Sequence, residues 1–402
     1  MAHAIRRVLP RETVASSRAR ERRPSRAFVI VVAALACACP CAHVSTAPNP
    51  SSIAALPCRQ TVPDGAPEVV WWSPPGEQTR AELSRWCETV GPVMFRPNPA
   101  ASSNRPIDGL AIVSWNLHVG SGDVDALVRA LRAGEFTGGA RVDDFVLLLQ
   151  EAYRRDAAIP SHLRRWHPVP ERIAARTGRG PDVAHVWRDD GFALLYAPSM
   201  RNGLVDVDRE DRGNAIVSTM ALGDATVVEL PVERQRRVVP AAVVGGRTSA
   251  GAPWTVRVAD VHLDTALALL HGGPFAARQR QAETLVSALG ATAPRAEHLT
   301  TIVAGDFNTV MGTREPTIAY LRRAFPDGPP PLEAPTFSGP LGFHANLDHV
   351  FVAGRVTGVD VKRLPSRFGS DHYPLLATIR FLRRSRLGSL KVAAKALKRP
   401  AK

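Results

Sequence analysis

Thr301-Ile302-Val303-Ala304-Gly305-Asp306-Phe307-Asn308-Thr309 is the stretch whose reading decides the fold. Ile302 to Ala304 is a short continuous apolar run, the pattern of a strand buried on both faces. Gly305 lets the backbone turn, and Asp306 and Asn308 follow with one residue between them. Residues two apart on an extended chain point to one side. A carboxylate and an amide therefore leave the end of a core strand together. A turn built on Asx hydrogen bonds explains the same pair of residues, so the rest of the chain has to decide.

Other apolar runs end the same way. Leu110 to Trp115 reads as a strand ending in Asn116, and Phe145 to Leu149 as one ending in Gln150-Glu151. Trp254 to Val261 alternates and reaches His262; Asn346 to Val352 is a strand with Asp348 near its start. Gly369-Ser370-Asp371-His372-Tyr373-Pro374 precedes a last apolar strand, Leu375 to Phe381. Helices are expected over Glu77–Thr89, after Asp123, over Arg278–Leu289 and over Thr313–Phe325, each with apolar residues on one face. Phe192–Tyr196, Ala215–Thr219, Thr226–Leu230 and Val238–Val244 read as strands in antiparallel hairpins, one of them entered through Arg212-Gly213-Asn214. Residues 154–190 and 326–340 read as long loops.

The net charge of +14 suggests a nucleic-acid binder until it is located. Residues 1–26 hold eight Arg against two Glu, and residues 380–402 hold nine Lys or Arg and no acid. The middle is nearly neutral, so composition makes no case for a basic binding face. Arg22, Arg23 and Arg26 precede an apolar run of ten, Ala27–Ala36, with small residues and cysteines through Ala42. This is the pattern of a secretory signal and is too short for an ordinary membrane span. A lipid-modified Cys37 or Cys39 is an alternative, although Leu35 sits one position off the usual lipobox for Cys37. Cleavage after Cys41 leaves Cys58 and Cys87, candidates for one disulfide in an oxidising compartment. The expected organisation is a leader over 1–42, a linker and small Trp-containing extension over 43–106, a catalytic-type domain over 107–382 and a basic tail over 383–402.

The segments SWN, LLQE, VHLD, GDFNT, LDHVFV and GSDHYP, in this order over roughly 107–382, resemble the endonuclease/exonuclease/phosphatase superfamily of metal-dependent phosphoesterases. The resemblance implies an α/β (α+β) fold, a four-layer sandwich of two packed mixed β-sheets flanked by helices. It implies Mg²⁺ (or Mn²⁺), with Asn116, Glu151 and Asp371 as metal residues. Asp306 would orient or deprotonate the attacking water, and Asn308 would hold a phosphate oxygen. His372 would sit against the phosphate with Asp348 orienting its ring, and His262 resembles the second histidine of secreted deoxyribonucleases and sphingomyelinases. Arg212 and Asn214 are candidate substrate contacts. The chemistry suits phosphodiesters, whose anionic phosphate resists attack until a cation neutralises it.

Two departures stand out. His118 occupies a place that is acidic in AP-endonuclease-like relatives. Gly213-Asn214 occupies the place where deoxyribonucleases carry the Glu that pairs with the histidine corresponding to His262. The reading is an exported phosphodiesterase, extracellular or in the cell envelope, working as a monomer on a phosphate ester. An endonuclease-like activity on nucleic acid comes first. A sphingomyelinase-like phospholipase or an inositol-phosphate-type phosphatase is the alternative, and a catalytically inactive binding protein the remote one.

Overall fold

The computed structural model describes residues 56–381, apart from 63–66, 101–104, 162–181, 184–190, 204–206, 266–271, 294–298 and 355. The expected leader, the basic tail and most of the loop 162–190 lie outside the described residues. In chain order, the first elements are β1 (Thr61–Val62), β2 (Val70–Trp72), α1 (Glu77–Cys87) and β3 (Val93–Arg96). Next come β4 (Gly109–Asn116), α2 (Val124–Ala133) and β5 (Phe145–Arg155). Four strands follow: β6 (Ala193–Asn202), β7 (Glu210–Ser218), β8 (Gly223–Glu229) and β9 (Val238–Arg247). Then come β10 (Pro253–His262), α3 (Gly273–Ala291), β11 (Leu299–Asp306) and α4 (Pro316–Ala324). The chain closes with β12 (Phe337–Ser338), β13 (His344–Ala345), β14 (Asp348–Ala353), β15 (Gly358–Arg363) and β16 (Leu375–Arg380).

Two mixed sheets carry the fold. The larger has the order β1-β3-β6-β7-β5-β4-β16-β15 and the smaller β14-β11-β10-β9-β8-β2. Both contain parallel neighbours: β4 with β5 and β10 with β11, each joined through a helix, and, at the edges, β1 with β3 and β2 with β8. The alternation within each strand sorts its side chains between two cores. Ile112, Val146 and Ile216 of the larger sheet meet Ala242, Val258, Ile302 and Ala304 of the smaller in a core between the sheets. Val113, Trp115, Leu147 and Leu149 face outward onto Val124, Leu127, Val128 and Leu131 of α2. On the opposite side Val239, Ala259, Val261 and Val303 pack against Ala282, Leu285 and Leu289 of α3 and Ile318 and Leu321 of α4. The result is the expected helix–sheet–sheet–helix sandwich.

Local chemistry explains the boundaries. Asp123 caps α2 by accepting the Ala126 amide at 2.8 Å, and Gly134 ends it in a left-handed conformation. The helix expected over Thr313–Phe325 is instead a 3₁₀ turn, Gly312–Arg314, followed by α4. Glu315, which precedes Pro316, is extended at φ −73°, ψ 139°, because the proline ring disfavours the helical region before it. The four mid-chain strands do form two antiparallel pairs, but β6–β7 lies in the larger sheet and β8–β9 in the smaller.

The segment before residue 107 is woven into both sheets. β3 pairs with β6 at one edge and β2 with β8 at the other. Buried Trp86 and Arg59 paired with Glu229 hold it down, and a disulfide between Cys58 and Cys87 closes the segment on itself.

Candidate active site

The candidate residues gather where the ends of the β4–β5 and β10–β11 pairs meet. On the smaller sheet His262, Asp306 and Asp348 are register partners in one row across β10, β11 and β14. Register partners on adjacent strands share a face, so the three side chains leave the sheet together. On the larger sheet Asn116 ends β4 beside Gln150 of β5. Glu151 follows at φ 52°, in a bulge between Leu149 and Ala152 where the register with β7 shifts. Such a bulge re-aims a side chain at a strand end. His372 lies just before β16; its backbone carbonyl accepts from the Trp115 indole at 3.1 Å, and its amide donates to Ser370 Oγ at 3.0 Å.

Asp306 is the hub. Its Oδ2 accepts from Asn116 Nδ2 at 2.9 Å and lies 3.6 Å from His262 Nε2 and 3.8 Å from His372 Nε2. Its Oδ1 accepts the Asn308 amide at 2.8 Å. Burial, reinforced by Asp348 and opposed by His372, pushes its carboxyl up to about 6. A buried carboxyl poised there exchanges protons near neutral pH. Asn308, at φ 52°, donates its side-chain amide to the Leu263 carbonyl at 2.9 Å and remains half-buried.

His372 has the opposite setting to an ordinary buried imidazole. Burial alone would lower its pKa, but Asp348, Asp306 and Asp371 together raise it to about 10. Asp348 Oδ2 accepts from Nδ1 at 2.9 Å, and the edge of the Phe337 ring packs against the imidazole with centroids 4.9 Å apart. Nε2 is left facing Asp306 and, at 3.9 Å, Asp371 Oδ1. A charged imidazole with one nitrogen fixed and the other facing the site is a donor for a developing anion.

Asp306, Asp348 and His372 each offer a ligand-type atom within 4.8 Å of the others. An imidazolium has no free lone pair, so this trio reads as an acid–base cluster and not as a cation cage. The oxygen set expected for the metal, Asn116, Glu151 and Asp371, has donor atoms of the suitable kind. Asp371 Oδ1 has no hydrogen-bond partner among the described residues, Asn116 Oδ1 accepts the His118 amide at 2.9 Å, and the Glu151 carboxylate is partly exposed. Carboxylate and amide oxygens with open lone pairs are what Mg²⁺ and Mn²⁺ take.

The remaining candidates are placed as follows. Arg212 is buried beside the site, 3.5 Å from Glu151 Oε2. Asn214 donates to the Asp260 carbonyl at 3.0 Å, which ties β7 to β10 across the two sheets. Two residues the motifs did not nominate complete the site. His118 Nδ1 lies 2.7 Å from Asp371 Oδ2, and Arg237 Nη1 lies 3.1 Å from His262 Nδ1. Burial would raise Asp371, but His118 and His372 lower it. The departure at position 118 was the only sequence signal for the first; Arg237 sits in the run Arg236-Arg237 and nothing local separates it from its neighbour, which pairs with Glu229.

Two packed mixed sheets with buried acid–base groups at their converging strand ends define a hydrolase-type α/β sandwich. The sequence profile of the Endonuclease/Exonuclease/phosphatase family matches residues 113–372, more than half of the chain, and the chain belongs to that family. Members of the family are divalent-metal-dependent hydrolases of phosphoester bonds. No curated protein sequence matches the chain significantly. Among solved structures it is similar to an endonuclease/exonuclease/phosphatase family protein from Leptotrichia buccalis C-1013-b, at 13% identity and TM-score 0.45, covering 68% of this chain and 100% of that one. It is also similar to truncated TDP2 from Caenorhabditis elegans, at 14% identity and TM-score 0.39, covering 68% and 97%. A third is the inositol polyphosphate 5-phosphatase domain of SPsynaptojanin, at 15% identity and TM-score 0.37, covering 73% and 93%.

Proposed function

We propose that the chain is an exported phosphodiesterase that cleaves nucleic acid in the manner of an endonuclease. The observation that carries the hydrolytic reading is the pairing of a near-neutral carboxyl, Asp306, with a charged imidazole, His372, whose other nitrogen is held by Asp348. Asp306 takes the proton of the attacking water. His372 Nε2–H and the second N–H of the Asn308 side-chain amide donate to the phosphoryl oxygens as charge grows on them. Asn116 keeps the Asp306 carboxylate aimed through its Nδ2, and its Oδ1, with Glu151 and Asp371, would hold Mg²⁺ or Mn²⁺. Bound there, the cation would supply charge that neutralises the phosphate and the leaving oxygen.

A specific observation favours a second reading, a sphingomyelinase-like phospholipase. Val310 and Met311 are exposed on the loop after Asn308, and Leu341 and Phe343 on the β12–β13 hairpin, whose Phe337 packs on His372. The two segments adjoin, since Thr309 Oγ1 donates to the Asn346 carbonyl at 3.3 Å. Exposed apolar side chains gathered beside a site suit a lipid surface.

The deciding experiment incubates purified protein with Mg²⁺ and, separately, plasmid DNA, RNA, sphingomyelin vesicles and a phosphorylated inositol. DNA or RNA cleavage is expected. Turnover confined to vesicles establishes the second reading, turnover confined to the inositol makes the chain a phosphatase, and tight binding without turnover makes it a binding protein. Export is tested by the N-terminal sequence of protein recovered outside the cytoplasm: a start beyond residue 36 is expected, and an intact leader would overturn it.

A further inference from the structure

His262 lies between two partners of opposite sign. It is 3% exposed, with Arg237 Nη1 at 3.1 Å from Nδ1 and Asp306 Oδ2 at 3.6 Å from Nε2. A guanidinium has only N–H donors and stays charged in proteins. Nδ1 must therefore be the acceptor, and the ring proton must sit on Nε2. Arg237 itself is 5% exposed, its Nε has no partner, and no carboxylate pairs with it among the described residues. A buried guanidinium without a carboxylate is costly, and a packing role alone does not require one. His372 is the mirror case, with the carboxylate of Asp348 on its Nδ1 at 2.9 Å.

We propose that Arg237 is a positioning residue that locks His262 as the neutral Nε2–H tautomer, a fixed hydrogen-bond donor aimed past Asp306 at the substrate, while Asp348 makes His372 the charged one. The two imidazoles are thus set to different protonation states by partners of opposite charge on the same ring nitrogen. A carboxylate on Nδ1 of His262 would turn it into a second imidazolium able to give up a proton; Arg237 removes that option. The groups facing His262 agree. Arg237 immediately precedes β9, Arg212 comes from β7 and His372 from the turn before β16; among the described residues Asp306, from β11, is the acidic group paired with His262. Burial, then Arg237, Arg212 and His372, hold the imidazole well below its ordinary range.

The lock is a property of the protein before substrate binds, so its test does not depend on the phosphodiesterase reading. Nitrogen-15 NMR of the full chain, with His262→Gln for assignment, reads tautomer and titration directly. In the unaltered protein His262 is expected to carry its proton on Nε2 and to stay neutral from about pH 5 to 8, the window in which an ordinary histidine titrates. In Arg237→Glu it is expected to become charged within that window. Arg237→Gln, which still donates to Nδ1, is expected to keep the Nε2–H tautomer with a titration displaced upward, and it serves if the Glu variant does not fold. An Nδ1–H tautomer or an ordinary titration in the unaltered protein overturns the proposal, as does a His262 whose titration is unmoved in both variants.

Discussion

Asp306 and Asp348 are register partners on adjacent strands, and they address opposite nitrogens of one imidazole, that of His372. Asp348 holds Nδ1 at 2.9 Å and Asp306 stands 3.8 Å from Nε2. One strand pairing thus sets both the charge of the ring and the direction in which it donates.

His372→Ala is expected to lower turnover by about 10²–10³, the usual worth of one donor to a developing oxyanion. Asp348→Asn should remove a large share of the same factor, and the two losses should not add, because the residues act as a unit. A double-mutant cycle on turnover, with melting temperatures for all four proteins, checks this. Stability losses with unchanged turnover would leave the pair a structural tie.

The pH profile follows from the same groups. The reaction needs Asp306 ionised and His372 protonated. Activity should rise with pH through about 6 and fall as His372 loses its proton towards about 10. Both are macroscopic values of a coupled site. In Asp348→Asn the charge that raises His372 is gone, so the alkaline limb should move down. An alkaline limb unmoved in that variant would assign it to another group.

Glu151→Gln is expected to abolish activity and leave the melting temperature within a few degrees, since an amide is a poorer ligand than a carboxylate for a hard cation. Isothermal titration with Mg²⁺ or Mn²⁺ should show weakened binding in this variant. Full activity in excess chelator would defeat the metal reading altogether.

Cys58→Ser should cost about 3–4 kcal/mol of stability, because the disulfide closes a loop with a sequence separation of 29. Turnover per folded molecule should be unchanged, as Cys58 Sγ meets Arg236 at 3.7 Å and not a residue of the site. Denaturant unfolding with and without reductant measures the first quantity, and activity corrected for folded fraction measures the second.

The polar strand ends were legible because each followed an apolar run too regular to be a loop. Asn116, Glu151, His262 and Asp306 announced themselves in that way, whereas Asp348 opens its strand and was marked by the apolar residues after it. Arg237 did not, since its role arises from a contact with a strand that pairs alongside its own, and an Arg beside another Arg carries no local mark. The tie of Asn214 to the Asp260 carbonyl was hidden for a related reason: a polar residue at the entry to a strand carries no mark of which carbonyl of the opposite sheet it meets. The pairing of Trp71 with Val227 was equally hidden. Three residues in parallel register with a partner so distant in sequence leave no periodicity to read.

That pairing has a practical consequence. β2 and β3 cover the flank of β8 in one sheet and of β6 in the other. A polypeptide begun at residue 107 would keep every motif and yet leave two rows of backbone amides and carbonyls bare. Such rows template association with other chains, so the shortened protein would be lost to aggregation before its chemistry was ever assayed.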